Sequence, residues 1–261
     1  MPKSEISQID SCPRGFPHRF KNILKKPLVD CRCDYLDCGG AQKNIHMGVF
    51  YLVMLYYCSM PTTQLYFRYS PIYDRSIATL SKVELLDNQI SDGFSFANDF
   101  AHYWQDKNDK VFEYYNELGL VLADFWLAYP VHVQKNIVPF NDPLTFFIKD
   151  NFDECAATVT HEICHTFFSY FANNERAVEL WKPIAEKFSN EPNDVQEHIL
   201  INVLAAGVYF KIFDSNKAIE LIKMETEYPS LAQSWKIIYN SIDGEFEKLK
   251  KPLEVLKTLT R

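Results

Sequence analysis

The sequence predicts an α+β fold, predominantly helical, in which a small sheet packs on one long helix and the C-terminal half is helical. Three observations lead there. Residues 142–150, DPLTFFIKD, are β-branched and aromatic between turn residues, the pattern of a strand. From residue 153 onward, apolar side chains recur three to four apart in successive stretches, the helical period. Glycine is scarce, 8 in 261 residues, against 20 Phe and 15 Tyr, which suits interlocking aromatic cores and disfavours disorder or linker-dominated architectures.

Taken in order, residues 1–44 read as a loop-rich N-terminal extension on a single domain spanning 45–261. The extension holds Cys12, Cys31, Cys33 and Cys38, the prolines Pro2, Pro13, Pro17 and Pro27, and the pair Gly39-Gly40. Residues 47–60, MGVFYLVMLYYCSM, are apolar but too short to span a bilayer comfortably, and read as a buried helix or strand. Residues 81–104 mix short helical periodicity with polar breaks. A helix is expected over 108–130, capped by Asn108 or Asp109, with Val111, Tyr115, Leu118 and Leu122 on its apolar stripe and Pro130 as its stop. Asp153 is the expected N-cap of a helix over 154–171, with Glu154 favourable in the first turn. A second strong helix is expected at 193–213. Amphipathic helices follow within 215–242 and 245–259, separated by Pro229 and Gly244.

Charge narrows the function classes. With 27 Lys and Arg against 34 Asp and Glu, the net charge is −7, so a dominant basic face for nucleic acid is not expected. The local cluster at 18–26, HRFKNILKK, reads as a solvated segment. The N-terminal stretch lacks the apolar core of a secretory signal, so a cytoplasmic location with reduced thiols and no membrane partner is expected. Cys58, Cys155 and Cys164 then read as free buried thiols. The spacing of Cys31, Cys33 and Cys38, even with Cys12 and His18, is not one of the tight zinc-ribbon or finger patterns.

The chemistry concentrates in TVTHEICHTFF. Residues four apart on a helix share a face, one turn above the other, so His161 and His165 can aim both imidazoles at one ion. Glu162 then projects beside the ion, where a carboxylate can take a proton from an activated water. With 7 histidines in the chain, H-E-x-x-H arises by chance in roughly one or two such sequences per hundred. A core helix carrying these three groups unpaired would bear a heavy desolvation cost. The expected cofactor is Zn2+. Cys164 faces away from the histidines and reads as a small packing residue, while His18, His46, His102 and His132 have no ligand-like spacing.

This stretch resembles the active-site helix of the zincin superfamily of metallopeptidases, over some fifteen residues and the strand–helix–helix order around them. The resemblance implies a small sheet above the helix, a peptide or protein substrate along its edge strand, His161 and His165 as zinc ligands, and Glu162 as general base. The metzincin continuation is absent, since Phe171 stands where the third histidine would fall, so a gluzincin-like arrangement is the better match. That arrangement takes its third ligand from the next helix. Glu175 and Glu179 lie too near the first helix. Glu197, a carboxylate in an otherwise apolar stretch, is the favoured ligand, with Glu186, Glu191, Asp194 and His198 also open as ligands and His198 or Asp194 able instead to support a ligating imidazole. Tyr170, Tyr209, Tyr228 and Tyr239 qualify by type alone for stabilising an oxyanion.

The expected function is therefore zinc-dependent hydrolysis of peptide bonds through a metal-activated water, with Glu162 as the base. The competing expectation is a catalytically inactive zincin-like binding or regulatory protein that keeps a structural metal. Bulky aromatics near the motif and the absent signal peptide favour the inactive protein, and the intact Glu162 opposes it.

Overall fold

The computed structural model describes residues 63–120, 125–132, 137–169 and 175–261. All of them fall within one compact unit, Leu55–Arg261. The expected N-terminal extension, its four cysteines, His18, His46, the apolar run 47–60 and Cys58 lie outside the described residues, as does Tyr170.

Strand β1 (Gln64–Phe67) leads into helices α1 (Pro71–Leu80) and α2 (Asp87–Glu117), followed by β2 (Phe125–Val131), β3 (Phe140–Asn141) and β4 (Leu144–Phe147). Helices α3 (Phe152–Ser169), α4 (Glu175–Lys187), α5 (Asn193–Ile212), α6 (Ser215–Thr226) and α7 (Ala232–Ser241) come next. A 3-10 turn (Phe246–Lys250) and α8 (Pro252–Leu259) complete the chain. The sheet order is β1-β2-β4-β3, with β1, β2 and β4 parallel and β3 antiparallel to β4. The α+β class, mainly helical with a small mixed sheet, is thus as the sequence predicts. Among the described residues no helix is long and apolar enough to cross a membrane.

Three boundaries differ from the sequence-based expectation, each for a local reason. The helix expected at 108–130 is the second half of α2, which already begins at Asp87. Asn108 does not cap it: buried mid-helix, its Oδ1 accepts from Leu65 N–H and Trp104 Nε1–H, both at 3.2 Å, and its Nδ2 donates to the Thr63 carbonyl at 3.0 Å. The polar residue clamps β1 to the helix. Gly119, at φ +77, ends α2 well before Pro130. Its N–H donates to the Asn116 carbonyl at 2.9 Å and Leu120 N–H to Tyr115 at 2.8 Å, the paired bonds of a glycine-terminated helix. The stretch FWLAYPV is then free to be a strand, and its unbroken apolar character suits an inner strand with parallel neighbours on both sides.

The third difference is small. Helix α3 starts at Phe152, because the Asn151 side chain accepts from Asp153 N–H at 2.9 Å. Asp153 and Glu154 sit in the first turn, where their charge complements the helix dipole.

Helix α3 packs on β4 and on α5, which runs through the centre of the helical half and meets α2, α3, α4, α6, α7 and α8. Nearly every side chain of α5 from Ile199 to Tyr209 is buried, so its sequence shows no polar face. Gly207 permits one close approach: a Cβ there would lie 1.8 Å from the Tyr114 hydroxyl oxygen of α2. On the sheet side, Phe67 meets Phe100 and Trp104 edge to face at 4.8 and 5.7 Å.

Candidate metal centre

Helix periodicity stacks His161 and His165 on the face of α3 that meets the first turns of α5, with ring centroids 5.1 Å apart. His198 comes from α5 and completes a triangle, its ring 5.6 Å from His161 and 5.1 Å from His165. The ligating atoms of the three histidines all lie within 4.8 Å of one another, and the group could hold a metal ion.

Supporting contacts orient two of the rings. His165 Nδ1 lies 3.0 Å from Glu197 Oε1, and His198 Nδ1 lies 2.7 Å from the Asp194 carbonyl one turn earlier. Both partners are acceptors, so each ring donates from Nδ1, which leaves Nε2 as the nitrogen available to a metal. His161 is different. Its Nδ1 is buried with no hydrogen-bond partner. A buried polar atom left unpaired costs about 1–3 kcal/mol, and this one belongs to a ring of the cluster.

Burial favours the neutral form of two of the three imidazoles, His161 and His198. Burial holds the His161 imidazole well below its ordinary pKa, reinforced by the charges of His165 and His198. Burial also lowers His198, followed by the charge of His165, while its bond to the Asp194 carbonyl works in the opposite direction. Glu197 is held below its ordinary value, mainly by its hydrogen bond to His165. Glu162, only 6% exposed, makes no hydrogen bond among the described residues. Burial pushes its carboxyl up to about 7, with His165 pulling it down and Glu197 adding to the rise. A carboxyl in the neutral range can exchange protons near physiological pH.

The structure brings His161 and His165 together with His198 in a group that could hold a metal ion, and Glu197, the ligand the sequence favoured, is not part of that group. Glu197 stands behind His165 as its hydrogen-bond partner, and His198, the residue next to it, joins the ligand group. Glu186, Glu191 and Asp194 do not join the group. Glu186 is exposed and pairs with Lys182 at 3.9 Å. Glu191 offers its backbone carbonyl to Gln196 at 2.7 Å, and Asp194 contributes its own carbonyl, not its carboxylate. The one sequence signal for His198 was its spacing from Asp194, four residues along the helix.

Other expectations resolve by burial. Cys155 and Cys164 are free and buried, and Cys164 lies 3.1 Å from the Tyr115 hydroxyl on the far side of α3. Tyr209 is fully buried, its hydroxyl between the Ala157 carbonyl and the Glu225 carboxyl, while Tyr228 and Tyr239 are exposed at 41% and 46%. His102 is exposed, and His132 is paired with Asp74 at 2.7 Å. Comparison with protein-family models, curated proteins and solved structures found no match to this chain.

Proposed function

We propose that this chain is a zinc-dependent hydrolase of peptide bonds. The observation that carries the reading is one cluster: three histidines from two helices, with the buried and unbonded carboxyl of Glu162 beside them. Structural zinc sites close with four protein ligands, whereas catalytic sites use three and keep a position open. His161, His165 and His198 would be the three, and Glu197 is already engaged by His165. When bound, zinc would supply Lewis acidity and would acidify water.

The chain's own residues supply the rest. Glu197 and the Asp194 carbonyl hold His165 and His198 in one tautomer and one orientation. Glu162 takes the proton of the attacking water on its carboxylate and returns it to the departing amine. The gluzincin resemblance supports peptide as the substrate, with the difference that a histidine replaces the expected glutamate ligand.

One observation favours the second reading, an inactive binding or regulatory protein with a structural metal: His161 and Glu162 are only 7% and 6% exposed. Elemental analysis of the purified chain, paired with cleavage of a mixed peptide library, separates the two. One zinc per chain, lost in His161→Ala and His198→Ala, with cleavage abolished in a zinc-retaining Glu162→Gln variant, is the expected result. Zinc without any cleavage would favour the binding protein. No zinc, in protein never exposed to chelator, would remove both readings.

A further inference from the structure

Two buried phenols reach the backbone of α3 just before its first histidine. Tyr209 of α5 and Tyr115 of α2 are 0% and 1% exposed. Tyr209 Oη–H donates to the Ala157 carbonyl and Tyr115 Oη–H to the Thr160 carbonyl, each at 3.1 Å. The Thr160 hydroxyl adds to the same turn, reaching back to the Ala156 and Ala157 carbonyls at 3.1 and 2.9 Å. In the helix, the carbonyls of Ala157 and Thr160 already accept the N–H groups of His161 and Cys164. Neither phenol therefore rescues an unpaired backbone group.

Burial pushes both phenols well above their ordinary range, so both keep the proton they donate. It also pushes the Cys164 thiol, 3.1 Å from the Tyr115 oxygen, up to about 12. Glu225 lies against the Tyr209 hydroxyl; protonated, it donates to that oxygen and leaves the phenol proton to Ala157. Compared with phenylalanine in the same space, each hydroxyl adds only modest net stability. What it adds is direction: a satisfied buried hydrogen bond rigidifies and fixes one arrangement where apolar contact permits several.

The placement of these bonds bears on the histidines. Ala157, His161 and His165 follow one another at spacings of four along α3. Tyr209 follows His198 by eleven residues, about three turns of α5, so the two share one side of that helix. Polar contact therefore joins α3 and α5 at the histidine triangle and again at the Tyr209–Ala157 bond. A slide or rotation of α3 against α5 would break that bond and carry His161 and His165 away from His198. Tyr115 secures α3 from α2: its hydroxyl meets Thr160 and its ring packs on Phe167 at 4.9 Å, about two turns further along.

We propose, resting on the metal reading above, that Tyr209 and Tyr115 are positioning residues of the metal centre. Their hydroxyls hold α3 at the rotation and height where His161 and His165 meet His198. They act through the helix backbone and touch neither metal nor substrate.

Cobalt in place of zinc tests this in the full chain, because the visible bands of Co2+ report ligand geometry whether or not the chain cleaves peptide. Tyr209→Phe and Tyr115→Phe keep the ring and remove only the hydroxyl. Each should still bind cobalt, with bands shifted from the wild type, and the double variant should shift further. With zinc, kcat on one peptide should fall by up to about tenfold while KM holds. Tyr114→Phe is the control: its hydroxyl is buried without a hydrogen-bond partner among the described residues, so bands and kcat should match the wild type. Lower thermal stability with unchanged bands in both single variants would mean that the hydroxyls serve packing alone and would overturn the proposal. An equal shift in Tyr114→Phe would overturn it as well. A wild type that binds no cobalt would overturn the metal reading and the positioning roles together. Shifted bands without any peptide cleavage would keep the positioning roles and remove only the hydrolase.

Discussion

Two buried glutamates flank α3, and both carboxyls are pushed up to about 7 by burial, yet their surroundings are opposite. Glu225 of α6 sits behind the helix with the Tyr209 hydroxyl against it and Trp235 nearby. That hydroxyl also lies 3.1 Å from the Ala157 carbonyl. A phenol has one proton for two acceptors, and the arrangement is satisfied when Glu225 carries its own proton. Glu162 makes no such hydrogen bond among the described residues, and the charges that act on it are those of His165 and Glu197. The same raised pKa therefore describes a neutral acid built into packing at one site and a proton-exchanging group at the other. The partners distinguish them, not the shift.

The largest effect expected from this contrast is on catalysis. Glu162→Gln should lower peptide cleavage by about 10²–10⁴-fold with zinc retained, whereas Glu225→Gln should leave cleavage close to wild type. Equal losses in the two variants, measured as kcat/KM on one peptide, would erase the distinction.

Stability against pH gives the next effect, and it applies to both carboxyls because both folded pKa values are raised. The folded pKa of Glu225 lies above its unfolded value near 4.5, so between 4.5 and about 7 the folded state keeps a proton that the unfolded chain has released. Its contribution is complete below 4.5 and is lost as pH rises through about 7. The loss is about 3 kcal/mol over that window. Denaturant unfolding on both sides of the window should show this fall in the wild type and a flatter profile in Glu225→Gln. A parallel pair of profiles would show that the carboxyl is not protonated in the fold.

Metal affinity separates the two adjacent residues of α5. His198→Ala should lose the metal, while Glu197→Ala should keep it with affinity lowered about 10–100-fold. Loss of zinc in Glu197→Ala alone would return the carboxylate to the ligand set. The smallest effect is expected at the back of α3: Tyr209→Phe should destabilise by about 1 kcal/mol, read by thermal unfolding, without changing zinc content.

Much of this layout could be read from the chain before folding. The pairing of His161 with His165 follows from helical spacing, which is a local property. The strand at 144–147 showed in its composition and its flanking turns, and α5 in its unbroken apolar content. The end of α2 was also written locally, in Gly119, but the apolar residues beyond it look alike whether they continue a helix or enter a parallel strand. Asn108 misled for a related reason: a polar residue that often caps a helix can equally reach from its middle to a neighbouring strand, and what decides is the strand's presence.

The third histidine of the cluster shows where sequence stops. Glu197 and His198 are neighbours in a helix, so their side chains point about 100° apart. Either could face α3, and both types can ligate zinc. The chain by itself determined the α+β class, the two histidines of α3 and the glutamate between them, because those follow from periods within single elements. Which face α5 turns toward α3 is set by packing its buried side chains against several helices at once. That rotation places His198 in the cluster and leaves Glu197 behind His165 as its support.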